Sequence, residues 1–356
     1  MSRFLSSRLQ GLEPYVPGEQ PKNMGELIKL NTNESPYPPS PAVMEAINSR
    51  EVADQRLYPD TTAAALRQAV ADRYGIGADC VICGNGSDEI LSLAFQAFCL
   101  GGAARFADIT YGFYKVWADL YGVVKHPMPL REDFTLDPTD YWTADETCFI
   151  ANPNAPTGIA LPVKDIEEIL RRNPDNVVVV DEAYVDFGGE SVVPLISKYP
   201  NLLVVQTFSK SRSLAGGRLG LGIACPELID DLNRVRGSFH PYNLNRLSIL
   251  AGAAAMKDGE YFEKTRTAII ETREKTRAAL LEMGCTVTQS CTNFLFVKLP
   301  GVDGKTCLEK LRAQNILVRW WNSARISDYT RVTIGTPQQM ERYLEAVASI
   351  IKEAKQ

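Results

Sequence analysis

Six short apolar runs recur along the middle of the chain: VICGN (81–85), ARFAD (104–108), TCFIAN (147–152), NVVVVDEAY (176–184), LLVVQTFSK (202–210) and LGIAC (221–225). Between several of them lie segments with apolar residues at helical spacing, SDEILSLAFQAFCL, YKVWADLYG and VKDIEEILRR. A short apolar run without polar alternation is what a strand buried on both faces needs. Strands of that kind alternating with helices imply crossover units on a largely parallel sheet. The expected fold class is α/β: a mostly parallel mixed sheet flanked by helices, joined to a small α+β domain.

Residues 1–40 are rich in Pro, Gly, Asn and Ser and read as an extended arm with one short helix signal near its start. Residues 41–240 carry the alternating pattern and form the expected large domain, with PAVMEAINSR and TTAAALRQAVADRYG as further helices. Residues 241–356 open with a long helical stretch whose Gly259 marks a break, then read strand (FLFVKL), helix (KTCLEKLRAQN), strand (ILVRWW), strand (TRVTIG) and final helix. At 356 residues the chain exceeds the size of a single core. No apolar run approaches the roughly 20 residues of a membrane helix, and the amino terminus lacks the pattern of a secretory signal, so a cytoplasmic protein is expected.

Composition excludes several chemistries. A formal net charge of −5 argues against a nucleic-acid platform. Eight cysteines, mostly in apolar segments, read as buried free thiols. Cys80 and Cys83 form a CxxC in a strand-like run, with no second CxxC, so no metal site is expected. The two histidines, His126 and His240, stand apart from each other and from any carboxylate cluster, which leaves a histidine triad nothing to build on.

What chemistry the chain has therefore falls on other residues. Lys210 ends the run LLVVQTFSK beside a Gly-rich turn; a desolvated ammonium there would favour imine formation, and Thr207, Ser209 and Arg218 around it suit a phosphate. A lysine snorkelling at a strand end is the plainer reading of that tetrapeptide. Asp181 follows four valines, at the carboxyl end of a buried strand where α/β sheets place ligands, although an Asp there is often only a helix cap. Ser87, Asp88 and Glu89 open a helix after Gly84-Asn85-Gly86, an amino-terminal anion site. Tyr111 follows another strand and is either core or an aromatic platform.

Taken in order, GNGSDE, TYG, NPNAPTG, DEAY, TFSK with LAGGRLG, and TRVTIGT resemble the fold-type-I aminotransferases that depend on pyridoxal 5′-phosphate (PLP), most of all their histidinol-phosphate branch. LNTNESPY (30–37), RLYP (56–59) and ILVR (316–319) extend the resemblance over nearly the whole chain. It implies that Lys210 holds PLP covalently, Asp181 pairs with the pyridine nitrogen, and Tyr184 bonds the phenolic oxygen. Thr207, Ser209, Arg218 and the amides of Ser87, Asp88 and Glu89 would hold the phosphate, with Tyr111 stacked on the ring. Tyr58 would reach a partner's cofactor across a homodimer interface. Arg331 would clamp the substrate's anionic group, Arg319 its phosphate, and Tyr15 and Asn33 on the arm would also meet substrate. Many relatives have Asn immediately before Pro-Thr-Gly; Ala155 stands there here, so Asn154 is expected to reach the ring instead. The implied reaction moves an amino group between L-histidinol phosphate and 2-oxoglutarate. Threonine-phosphate decarboxylation, aromatic amino-acid transamination and a non-catalytic PLP-binding regulator are the alternatives.

Overall fold

The computed structural model describes residues 4–22 and 25–356. Ile28–Lys29 (β1) is followed by helices Pro41–Ala46 (α1), Ser49–Ala53 (α2) and Ala64–Tyr74 (α3). Strands and helices then follow as Val81–Asn85 (β2), Ser87–Phe98 (α4), Ala103–Ala107 (β3), Phe113–Tyr121 (α5), Val124–Met128 (β4), Thr147–Ala151 (β5), Val163–Arg172 (α6) and Val178–Asp181 (β6), alternating except between β4 and β5. Leu202–Thr207 (β7) and Leu219–Ala224 (β8) close the sheet, ahead of Pro226–Phe239 (α7), Arg246–Lys257 (α8) and Gly259–Glu282 (α9). The remainder is Thr286–Val287 (β9), Phe294–Lys298 (β10), Gly304–Ala313 (α10), Ile316–Leu317 (β11), Arg319–Trp320 (β12), Thr330–Thr333 (β13) and Pro337–Ala354 (α11).

A seven-stranded sheet has the order β2-β8-β7-β6-β5-β3-β4. Within it only β8 runs antiparallel to its neighbours, β2 and β7. The valines of β6 explain why the sheet is inside: successive side chains point to opposite faces, and both faces are covered. Val178 and Val180 join a core with Ile166, Ile169 and Leu170 of α6, while Val179 joins another with Ile90, Leu91 and Phe95 of α4 and Trp117 of α5. At about 25 cal/mol per Å² of apolar surface removed from water, burying such side chains on both faces stabilises the sheet.

A four-stranded antiparallel sheet, β12-β13-β10-β9, packs on a separate core that includes Leu295, Val297, Leu311, Val332, Tyr343 and Val347. Asp258 caps α9 by accepting from the Tyr261 amide, which makes the break between α8 and α9 a deliberate restart next to Gly259. α11 begins with a capping box in which Thr336 and Gln339 bond each other's backbone. Among the described residues no helix is long and apolar enough to cross a membrane. The eight cysteines are free.

Several expectations need correcting. The run ILVRWW is two dipeptide strands in different sheets: β11 pairs parallel with β1, and β12 pairs antiparallel with β13. The arm is thus tied in by two strand residues, and Leu30, Asn31 and Asn33 behind them are buried. Cys80 lies in a short 3-10 turn ahead of β2, not in the strand. His126 does have one carboxylate beside it: its Nδ1 meets Glu146, which also receives Arg105 Nε at 2.6 Å. Sequence separation of 20 and 41 residues hid that contact.

Candidate active site

The carboxyl ends of β6 and β7, the start of α4 and the arm enclose a cavity of about 360 Å³. Its walls include Thr32, Glu34, Ser87, Asp88, Tyr111, Ala155, Asp181, Ala183, Tyr184, Thr207, Ser209, Lys210 and Arg218. Strand ends of a parallel sheet leave such a crevice because the chain turns away to opposite faces there.

Lys210 donates to the Thr32 carbonyl at 3.3 Å, and its Nζ lies 5.8 Å from the centre of the Tyr184 ring. Among the described residues no carboxylate forms an ion pair with it. Loss of water, helped by the positive charge of Arg331, pulls its pKa down to about 8. The flanking side chains fix the loop: Ser211 bonds Asp186, Arg212 donates to the Ala255 carbonyl at 2.7 Å, and Ser213 Oγ lies 2.9 Å from Ser35 Oγ.

Asp181 ends β6, 5% exposed, and burial pushes its pKa up to about 6 against the lowering pull of two hydrogen bonds. Tyr114 Oη donates to Oδ2 at 2.9 Å and the Ala183 amide to Oδ1 at 3.2 Å. Tyr184 Oη accepts from Asn33 Nδ2 at 2.8 Å. At the far wall Gly86 takes φ +81°, and α4 begins at Ser87, where the helix carries partial positive charge. Arg218 packs over that turn so closely that a Cβ on Gly86 would sit 2.5 Å from its Nη2. Arg218 also pairs with Asp88 at 3.1 Å, and Asp88 accepts from Tyr111 Oη at 2.7 Å. Thr207 Oγ1 and Ser209 Oγ are 3.0 Å apart beside them.

Beyond the cavity Arg331 donates to the Asn31 carbonyl at 3.0 Å, and among the described residues its buried Nε has no partner. Its guanidinium and that of Arg319 lie 5.2 and 5.6 Å from the centre of the Trp321 ring. Tyr15 stacks on Phe113 with ring centres 4.3 Å apart.

Some expected residues are placed otherwise. The Glu89 amide is taken by the Gly86 carbonyl, and its carboxylate accepts from the Asn85 amide and Asn243 Nδ2, so Glu89 braces the turn from behind. The Asn154 side chain is spent on the Ile109 carbonyl, Thr110 and Thr157, leaving the methyl of Ala155 on the cavity wall. Asn33 is locked between Tyr184 and Thr333 and stands behind Tyr184, not open to a substrate. Arg319 donates to the Val16 and Pro17 carbonyls, holding the arm. Tyr58 is 79% exposed and stacks on Tyr242 at 4.4 Å, outside this cavity. Tyr114, which bonds the carboxylate directly, has no motif to announce it; its signal was the place of FYKVW just after Tyr111.

The donor set suits PLP. An uncharged-prone lysine and a buried carboxylate face one cavity, and a glycine cradle brings a guanidinium, a helix start and two hydroxyls together where a phosphate would lie.

The model of the class I and II aminotransferase family matches residues 25–347. A histidinol-phosphate aminotransferase of Brachyspira hyodysenteriae is 48% identical over 354 residues, 99% of this chain and 100% of that protein. One from Clostridium acetobutylicum is 47% identical over 352 residues, again 99% and 100%. The crystal structure of histidinol-phosphate aminotransferase from Sinorhizobium meliloti in complex with pyridoxal-5′-phosphate superposes with a TM-score of 0.89 at 22% identity, covering 99% of each chain. An aspartate aminotransferase tetra mutant of Thermus thermophilus gives 0.83 at 20% identity, over 98% of this chain and 100% of that one. With family model, full-length relatives and fold in agreement, the chain belongs to the class I and II aminotransferase family.

Proposed function

We propose that the chain is a PLP-dependent histidinol-phosphate aminotransferase, moving the amino group of L-histidinol phosphate to 2-oxoglutarate. The observation that carries this is the Lys210–Asp181 cavity in a chain 47–48% identical, end to end, to proteins of that name. When bound, PLP supplies an aldehyde carbon to take the amino group and a protonated ring to accept electrons from the substrate carbon.

The chain's own residues divide the remaining work. Lys210 would anchor the cofactor and, once displaced by the substrate amine, take the proton from the substrate Cα; a pKa near 8 lets its Nζ accept and return a proton close to neutrality. Asp181 would hold the proton on the pyridine nitrogen. The amides of Ser87 and Asp88 and the side chains of Thr207, Ser209 and Arg218 would bind the phosphate, Tyr111 would cover the ring face, and Tyr184 would donate to the phenolic oxygen. Arg331, with its unpartnered Nε, would grip the carboxylate of glutamate or the phosphate of histidinol phosphate. Arg319 and Tyr15 would join it as the arm exchanges its carbonyls for the substrate's phosphate.

The reading extends to assembly. Val52, Leu57, Tyr58, Phe239 and Tyr242 are exposed apolar side chains, a set that suits burial against a second copy in a homodimer where Tyr58 reaches the neighbouring cofactor. Division into an arm (1–40), a large domain (41–240) and a small domain (241–356) puts the seven-stranded sheet in the second part and the four-stranded sheet in the third, while α8 packs back on the core of the larger sheet through Ile249 and Met256. Eight free thiols suit the cytoplasm.

The test is a half-reaction. PLP-loaded protein mixed with L-histidinol phosphate alone should release one equivalent of ketone and bleach the visible cofactor band, and 2-oxoglutarate should restore the band. Release of carbon dioxide from threonine phosphate with no such bleaching would instead favour a decarboxylase.

A further inference from the structure

Among the described residues Asp181 has two hydrogen-bond partners, the Ala183 amide and Tyr114. The amide belongs to the same turn as Asp181 and would be there whatever side chain stood nearby. Tyr114 comes 67 residues earlier, from the first turn of α5, and is wholly buried. Its ring meets the Tyr111 ring edge to face, with centres 5.7 Å apart at 86°, a favoured aromatic geometry. It is further wedged against Phe106 and Phe149, at 5.9 and 5.6 Å. Packing therefore fixes the position of the hydroxyl, and the hydroxyl fixes Asp181 Oδ2.

We propose that Tyr114 is a positioning residue for the cofactor: its hydroxyl orients the Asp181 carboxylate toward the ring nitrogen while its ring edge sets the angle of Tyr111 over the ring face. The inference rests on the assignment of Asp181 and Tyr111 to PLP made above. One buried side chain then aligns two contacts that come from different strands. A carboxylate deprived of one donor in a dry site favours its neutral form, and a neutral carboxyl holds a pyridinium proton poorly. The charged and titratable groups facing Asp181 are Tyr114, Asp88 on α4 and Lys210 after β7, with Tyr111 and Tyr184 at the cavity wall; Asp88 opposes ionisation and Lys210 assists it. Tyr114 is thus the neutral donor in a set whose charges pull in both directions.

The experiment titrates PLP into apoprotein, reading the dissociation constant from the cofactor's absorption, beside kcat and KM. Tyr114→Phe keeps the ring and removes the hydroxyl. It should weaken PLP binding and lower kcat, each by about tenfold to a hundredfold, with KM for L-histidinol phosphate within about threefold. Adding Tyr114→Phe to Asp181→Asn should cost nothing further, because the group it orients is already gone. Parental affinity and kcat in Tyr114→Phe, or an equal loss on the Asp181→Asn background, would each overturn the proposal. Should Tyr114→Phe prove unstable, thermal unfolding carries the same cycle: destabilisation that disappears with Asp181→Asn supports it, and destabilisation that persists contradicts it. Parental PLP affinity in Asp181→Asn alone would sink the Asp181 assignment, which is a different signature from a silent Tyr114→Phe beside an impaired Asp181→Asn.

Discussion

Glu182 sits one residue beyond Asp181 and points to the other side of the sheet, where Gln206 Nε2, Ser191 Oγ and the Val192 amide donate to it at 2.8, 2.7 and 2.6 Å. Burial still wins over those bonds and pushes its pKa from 4.5 up to about 7. A carboxyl whose folded pKa is raised contributes stability fully below its unfolded pKa and loses it as pH climbs through the folded one. Apoprotein should therefore lose part of its stability between about pH 4.5 and 7, and Glu182→Gln should flatten that segment of a melting-temperature profile. An unchanged slope would mean that Glu182 is already paired as a carboxylate. Arg319 makes a separate prediction: Arg319→Ala should raise KM for L-histidinol phosphate by about tenfold and KM for glutamate less, since a charge-assisted bond to phosphate is lost. Equal changes in steady-state assays would remove its role in phosphate recognition. That Lys210, Asp181 and Arg218 meet at one cavity was legible because strand ends and a Gly-rich turn advertise themselves locally. Where the side chains of Glu89, Asn33 and Asn154 point was not legible, because direction depends on distant partners, here Asn243, Thr333 and Ile109.

Helices and strands show what local pattern conveys and what it hides. β6 and β7 were evident from uninterrupted valines and leucines, and α4 from Gly86 followed by Ser87 and an apolar helical face. The split of residues 316–321 between two sheets was not, because a two-residue strand has no period and its partner β1 lies nearly 290 residues earlier in an arm of Pro and Asn. At α11 the capping box predicts that Thr336→Ala lowers stability by about 1 kcal/mol without altering kcat, checked by denaturant unfolding beside an activity assay. At α4 the cradle predicts the reverse balance. Gly86→Ala adds a Cβ at φ +81°, 2.5 Å from Arg218, and should weaken PLP binding by tenfold or more, in line with a strain of about 1–3 kcal/mol at the phosphate turn. Parental affinity in that variant would show that the turn has room to spare.

At the scale of the molecule, the cavity draws its walls from the arm, α4, the β3–α5 turn and the loops after β6 and β7, so no single segment contains a site. Order of motifs along the chain made the assembly readable; the angle at which the four-stranded sheet brings Arg331 toward Lys210 had no local signature. Arg331 reaches it because β13 pairs with β10 and β12 at the arm's edge, placing its charge close enough to lower the Lys210 pKa. Tyr58 and the apolar side chains around it predict a dimer, whose activity should fall in parallel with its weight-average mass on dilution, measured by sedimentation; a fully active monomer would contradict shared sites. The central claim, that Lys210 carries PLP, is tested most directly by borohydride reduction of the loaded protein and mass analysis of its peptides. The account predicts a stable pyridoxyl group on the peptide containing Lys210 and its absence from Lys210→Ala. A pyridoxyl group on any other lysine, or none at all, would contradict it.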